Sequence, residues 1–309
     1  MEPTIIEGVI LGLIAAVTQS LCYLFSRRFV MRQMNRSSVL FALSHAQMGV
    51  MAVVMLPFCF NATQIANVRA YMWPLAGSVS FYLIGQACLF HAVKYTDASR
   101  VSPLLGLKLL ILSITAVFVF SEQITPLQWL AVGISLAAAV GLNYSGGGIP
   151  RHGLLAIAGA CVAYAFSDLS IFAMSKVFAP HNEIKGILLG ASLAYILCGA
   201  IGAALTAAGA AEDRKLQKWK DALPVAITWF GAMISLFICF RLLGAVFGNI
   251  VQSMRGPLSI LFGAALAARG HVHLESKVSR WTLLRRLAAA LLMCAAIALF
   301  AYERSQHPS

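Results

Sequence analysis

Two cations stand in stretches of chain that are otherwise apolar. Arg255 lies in Gln252-Ser-Met-Arg255-Gly-Pro257-Leu-Ser259, and Lys108 lies in Leu104-Leu-Gly-Leu-Lys108-Leu-Leu. A charge placed at the centre of a bilayer costs about 2.5–3.5 kcal/mol on insertion scales. A water-filled cavity, an internal carboxylate or a ligand must offset that cost. A guanidinium grips a carboxylate or phosphate through two parallel bonds, and an ammonium holds one as a point charge. The chemistry on offer is anion binding. The bland alternatives are an internal salt bridge and, for Lys108, a stem that snorkels to the surface.

Polar neighbours extend both groups. On a helix over 246–268, Gln252, Arg255 and Ser259 share one face. Arg255 then lies about 14 Å from one end at 1.5 Å per residue. Pro257 removes a backbone donor at that level. Asp168, in Ala163-Tyr164-Ala-Phe-Ser167-Asp168, is the clearest acid inside an apolar run, with Tyr164 and Phe172 one turn away on either side. It can neutralise Arg255 or Lys108, or carry a proton. Gln19 and Tyr23 form the matching polar face of the first segment. The substrate-binding set is thus Arg255, Lys108, Gln252, Ser259, Gln19, Tyr23 and Tyr164. Asp168, His45 and His91 are coupling or counter-ion positions, although a membrane histidine more often bonds a neighbouring helix.

Other chemistry is poorly represented. His271-Val-His273-Leu-Glu275 has metal-ligand residue types but no further ligand nearby, so no metal site is expected. No P-loop, HExxH, GxSxG or paired catalytic carboxylates occur. An enzyme is not expected, nor a cofactor. The seven cysteines show no CxxC spacing and read as small buried hydrophobes.

The elements that position these residues are membrane helices. Of 309 residues, 60% are hydrophobic and 11% charged, against about 25% charged in a soluble domain. Ten apolar segments of roughly 18–24 residues match a hydrocarbon core of ~30 Å. They fall at 5–25, 38–59, 72–93, 101–120, 125–143, 153–175, 186–208, 222–242, 246–268 and 282–302. The first is a full-length span and not a cleaved signal. Trp73, Trp129, Trp219 and Trp281 lie near segment ends as interfacial anchors, and Trp229 lies deeper, as core. The net charge of +12 reads as basic loops beside a membrane, with no nucleic-acid partner implied. The odd-numbered connections hold sixteen of the 23 lysines and arginines. The positive-inside rule puts those loops in the cytoplasm and both termini outside.

A weak internal repeat runs through the chain. At an offset of 149, Gln19 meets Asp168, Ser26 meets Ser175 and Arg27 meets Lys176. Trp129 meets Trp281 at 152. Five segments per repeat is odd, so the two copies must be inverted. The units are 1–148 and 149–309. Inverted repeats are a transporter architecture, with the substrate site near the midplane between the copies. If the alignment slips by two residues, Lys108 is the mate of Arg255.

Residues 89–143 carry a resemblance. Lys94-Tyr95-Thr96-Asp-Ala98-Ser99 enters the fourth segment, and Glu122-Gln-Ile-Thr125-Pro-Leu-Gln128 follows it. This resembles the EamA repeat of the drug/metabolite transporter superfamily, whose junctions read "kYT-x-A-S" and "E-x-L-T-x-x-Q". Glu122 is then a junction residue that caps or orients a loop. The second repeat departs from the pattern, with Gly270 or His271 opposite Glu122. Lys108 stands where the family has a proline. The resemblance implies ten helices in two inverted repeats. In position only, Lys108 and Arg255 are similar to the phosphate-holding cations of triose-phosphate translocators, a branch of the same superfamily.

The expectation is an all-α integral membrane transporter of the bacterial inner membrane, either alone or as a homodimer in the bilayer. It moves a small organic anion, such as a carboxylate, amino acid or phosphorylated metabolite, by alternating access. The alternatives are an exporter of cationic or amphipathic compounds using Asp168, and a flippase for phosphate-bearing lipids.

Overall fold

A computed structural model of the chain describes residues 3–33, 36–95, 101, 104–120, 123–143, 150–181, 183–268 and 279–306. Glu122, the Thr96–Ser99 junction and the His271, His273 and Glu275 group lie outside the described residues. All the regular structure described is helical. The helices are α1 (Pro3–Arg32), α2 (Ser37–Cys59), α3 (Ala62–Ala66), α4 (Val68–Ala92), α5 (Lys108–Phe120) and α6 (Pro126–Asn143). Then come α7 (Arg151–Phe178), α8 (Ile184–Ala208), α9 (Leu216–Leu243), α10 (Ala245–Gln252), α11 (Arg255–Ala268) and α12 (Arg280–Gln306).

Six of the described helices, α1, α2, α4, α7, α8 and α9, are long and apolar enough to cross a membrane. Shorter apolar helical stretches run over Leu105–Thr115, Pro126–Ala138 and Leu291–Phe300. The outer surface suits a hydrocarbon solvent. Val50, Val53 and Val54 on α2 and Leu155 on α7 are more than half exposed, a pattern that water would penalise and lipid does not. Trp73 and Trp281 are each 74% exposed, as anchors should be.

Local sequence accounts for the joints. Before α6, the Thr125 backbone N–H donates to Gln128 Oε1 at 3.1 Å, and the Gln128 N–H donates to Thr125 Oγ1 at 3.3 Å. That reciprocal pair is a capping box, so half of the T-x-x-Q junction has a plain structural purpose. Helix α3 was not anticipated. Asn61 caps it by accepting the Gln64 N–H at 3.3 Å.

The segment expected as one helix over 246–268 is instead two. Helix α10 stops at Gln252, Ser253 and Met254 form a turn, and α11 starts at Arg255. Pro257 explains the break, because it has no N–H to offer Ser253. The Ser253 carbonyl takes the Gly256 N–H instead, at 3.0 Å. The fourth segment is also irregular: Leu105–Leu107 is a 3₁₀ turn and the α-helix begins at Lys108. Both cations therefore open a helix, and Arg255 is not buried mid-helix as the sequence suggested.

The major interfaces join early helices to late ones: α2 on α8, α4 on α7, α1 on α9, and α6 on α12. Helices α2 and α8 cross at backbone contact. A Cβ on Gly49 would lie 2.5 Å from Gly199 Cα, and one on Gly202 would lie 2.6 Å from the Ala46 nitrogen. Only glycine allows that approach. Around this frame, α1, α4, α7 and α9 meet, with α5 packed on α7, and α10 and α11 packed on α1.

Candidate functional site

The central helices enclose one small polar cavity. Gln19 and Tyr23 reach it from α1, Tyr82 from α4, and Lys108 from the start of α5. Tyr164, Ser167 and Asp168 come from α7, Trp229, Met233 and Leu236 from α9, and Gln252 and Arg255 from the α10–α11 break. Its volume is about 10 Å³. That is space for about one water molecule.

Lys108 Nζ lies 2.5 Å from Asp168 Oδ2, and both side chains are about 95% buried. The lysine does not snorkel. Its ammonium also lies 5.8 Å from the centre of the Tyr164 ring. Across the cavity, Arg255 Nη1 donates to Gln19 Oε1 at 3.3 Å, and Gln252 Nε2 donates to the same oxygen at 3.0 Å. Ser20 Oγ ties α1 to α11 by donating to the Arg255 carbonyl at 3.0 Å. One carboxylate and two cations are thus present among the described lining residues. A pair buried this well holds only because its charges are matched closely.

Some lining groups have polar atoms left over. Tyr23 Oη and Gln252 Oε1 are buried and make no hydrogen bond among the described residues. Buried polar atoms nearly always find a partner, so these two are ready to contact something placed in the cavity.

Aromatic rings form the rest of the wall. Trp229 is the hub, with ring centres 6.1 Å from Tyr23, 6.2 Å from Tyr82 and 6.4 Å from Tyr164. The Tyr164 hydroxyl donates to Gln86 Oε1, and Gln86 Nε2 donates to the Tyr82 hydroxyl at 3.4 Å. Trp229, read as core from its depth, is buried and also lines the cavity.

Of the residues singled out from sequence, Arg255, Lys108, Gln252, Gln19, Tyr23, Tyr164 and Asp168 come together here. Ser259 does not line the cavity. It is fully buried one turn into α11, with no hydrogen bond from its hydroxyl among the described residues. The helix break separates it from the face it was expected to share with Gln252. His45 lies outside the cavity, in ring contact with Phe41 at 4.3 Å and Tyr82 at 5.5 Å, its Nδ1 2.7 Å from the Phe41 carbonyl oxygen. His91 is farther away, exposed at the end of α4 against Tyr95. Tyr82, Gln86, Trp229 and Met233 were missed. Ser78, Tyr82 and Gln86 repeat at i+4, and that stripe was a usable signal.

The ends of the bundle are tied by polar contacts. At one end Arg27 Nη1 donates to the Val93 carbonyl at 2.5 Å, and Arg36 and Lys218 meet Asp213 at 2.8 and 2.6 Å. At the other, Arg241 donates to the carbonyls of Ala179 and Pro180 at 2.8 and 2.7 Å.

Comparison with known proteins agrees with this architecture. No curated protein matches the chain by sequence. One protein of known crystal structure superposes with a TM-score of 0.59 at 15% identity, over 96% of this chain and 99% of its own. At that identity the likeness concerns the fold alone. Residues 6–144 match the EamA-like transporter family. That stretch supplies Gln19, Tyr23, Tyr82 and Lys108 to the cavity wall. With six helices long and apolar enough to cross a membrane, the match of residues 6–144 to the EamA-like transporter family points to an integral membrane protein resembling transporters of the drug/metabolite type.

Proposed function

We propose that the protein is a secondary transporter that binds a small organic anion between Lys108 and Arg255 and moves it by alternating access. The observation that carries this reading is that two cations, Lys108 and Arg255, each at the start of a helix, line one small cavity. Lys108 has Asp168 at 2.5 Å, and Arg255 donates to the amide oxygen of Gln19 at 3.3 Å. An anionic group placed between the two cations would meet charge-assisted donors from both, and Tyr23 Oη could donate a hydrogen bond to the same group.

A second feature supports the inverted-repeat part of the reading. Gln19 and Asp168 correspond at the offset of 149. The contact Lys108–Asp168 and the contact Arg255–Gln19 are then images of one another. Lys108 and Arg255 become mates with the two-residue slip, each at the start of a helix. The swapped interfaces, α1 on α9 and α4 on α7, fit the same pseudo-twofold relation. Ten spans, units at 1–148 and 149–309, and cytoplasmic basic loops belong to this proposal.

A cavity of about 10 Å³ cannot hold a metabolite, so the wall must part before one enters. Rocking of the two repeats would supply that movement. The test is thermal stabilisation of the purified protein by a panel of anionic, zwitterionic and cationic metabolites. A ligand that binds only the folded state stabilises it by about 2.7 kcal/mol at 100 times its Kd. Stabilisation by anions, absent in Arg255→Gln, supports the reading; stabilisation by cations alone contradicts it.

One feature favours a second reading. The rings around Trp229 present π faces, which attract cations. Export of a cationic or amphipathic compound would then use Asp168. Asp168→Asn separates the two, because it abolishes cation export and only retunes an anion site.

A further inference from the structure

A second cavity lies away from the central one, at the basic end of the bundle. It is a crevice of about 520 Å³ between the start of α2, the end of α4 and the end of α8. Its walls are apolar, with Val39, Leu43, Phe90 and Leu205 among them. Its rim is polar and includes Ser37, His91, Lys94 and Asp213. Ala87, His91, Leu205 and Ala208, from two of its three helices, are exposed, so the crevice opens on the outer side of the bundle.

Geometry fixes its depth. Lys94 and Gly209 follow the ends of their helices, and Ser37 begins α2. Leu43 and Ala87 lie six or seven residues further in, about 10 Å at 1.5 Å per residue. The crevice therefore runs from the level of lipid headgroups into the hydrocarbon. Water filling an apolar cleft at that depth is unfavourable.

The rim also has a charge preference. Asp213 is already met by Arg36 and Lys218. Arg214 donates to the Ala207 and Gly209 carbonyls at 2.9 and 2.7 Å, beside the mouth. Lys94 adds another cation. Lys94 and Asp213 line the crevice itself, and beside it Asp213 is already held by Arg36 and Lys218, and Glu212 lies 4.0 Å from Lys215. Basic pockets between membrane helices suit lipid phosphates. We propose that this crevice seats one acyl chain of an anionic phospholipid, with the lipid phosphate at Lys94. The seat is independent of the transport site and does not rest on the reading of Lys108 and Arg255.

The test compares stabilisation of the purified protein by phosphatidylglycerol and by phosphatidylcholine of the same chains. Phosphatidylglycerol should raise the midpoint of unfolding more. Lys94→Gln should weaken that preference about five-fold, the effect of one basic residue near a lipid surface. Lys94→Arg should keep it. Ala87→Trp, at an exposed wall position, should block the chain and remove it. Arg32→Gln alters an exposed cation of the same end that does not line the crevice, and should leave the preference intact. Glycerol phosphate, which has no chain, should not stabilise. The proposal is overturned if the two lipids act alike, if Arg32→Gln matches Lys94→Gln, or if glycerol phosphate matches the intact lipid.

Discussion

Lys108 and Asp168 form a buried pair at 2.5 Å, on the wall of the same cavity that Arg255 lines. Removing one partner of a buried pair strands the other charge, which costs about 3–5 kcal/mol. Lys108→Met and Asp168→Asn should each lower thermal stability in detergent by that order. The double variant Lys108→Met with Asp168→Asn should recover most of the loss. Additive losses would mean the two groups are not coupled.

Gln19 is the residue whose neutrality matters most. Gln19→Glu changes little in shape but places a carboxylate 3.3 Å or so from Arg255, where the amide oxygen now sits. The fold should be unharmed or firmer. Anion binding should fall by roughly 10-fold or more, since a fixed internal carboxylate competes for the guanidinium. Measured affinity unchanged in Gln19→Glu would show that the substrate does not use Arg255.

The crossing of α2 and α8 has no spare room. Gly49→Ala would drive a Cβ to 2.5 Å from backbone, whereas Gly133 has nothing within 4 Å. Overpacking of that kind costs about 1–3 kcal/mol. The unfolding midpoint should fall in Gly49→Ala and hold or rise in Gly133→Ala, because a helix gains from the exchange of glycine for alanine.

Outside the membrane, Asp213 should give a pH signature. The hydrogen bond from Lys218 holds its carboxyl below the ordinary value of 3.8, with Arg36 adding to the effect. A depressed folded pKa means the stabilisation is complete above the unfolded value and is lost as pH falls through the folded one. Wild type should therefore exceed Asp213→Asn in stability at neutral pH, with the gap closing in acid below pH 3.8. A gap independent of pH would assign the contact to packing and not to charge.

Much of this was legible because membrane burial makes polar residues conspicuous. Arg255, Lys108, Asp168, Gln19 and Tyr23 stood out against apolar runs, and they meet in one cavity. What sequence obscured was backbone. Pro257 marked a weak point, but helical spacing still placed Ser259 beside Gln252, and the turn at Ser253–Met254 parts them. Tyr82 and Trp229 were hidden by type, since aromatic side chains serve equally in core, interface and site. His45 misled for the opposite reason: a polar ring in a span here packs between Phe41 and Tyr82.

The central claim is that Arg255 receives the anion. The direct measurement is uptake of the stabilising anion into proteoliposomes by wild type and Arg255→Gln, inserted to equal density. Uptake reduced 10-fold or more, with the variant folded and the loss confined to anions, is the outcome a direct Arg255–anion contact predicts; loss of a charge-assisted contact of about 1.5–3 kcal/mol accounts for that size. Uptake by Arg255→Gln at the wild-type rate would contradict it.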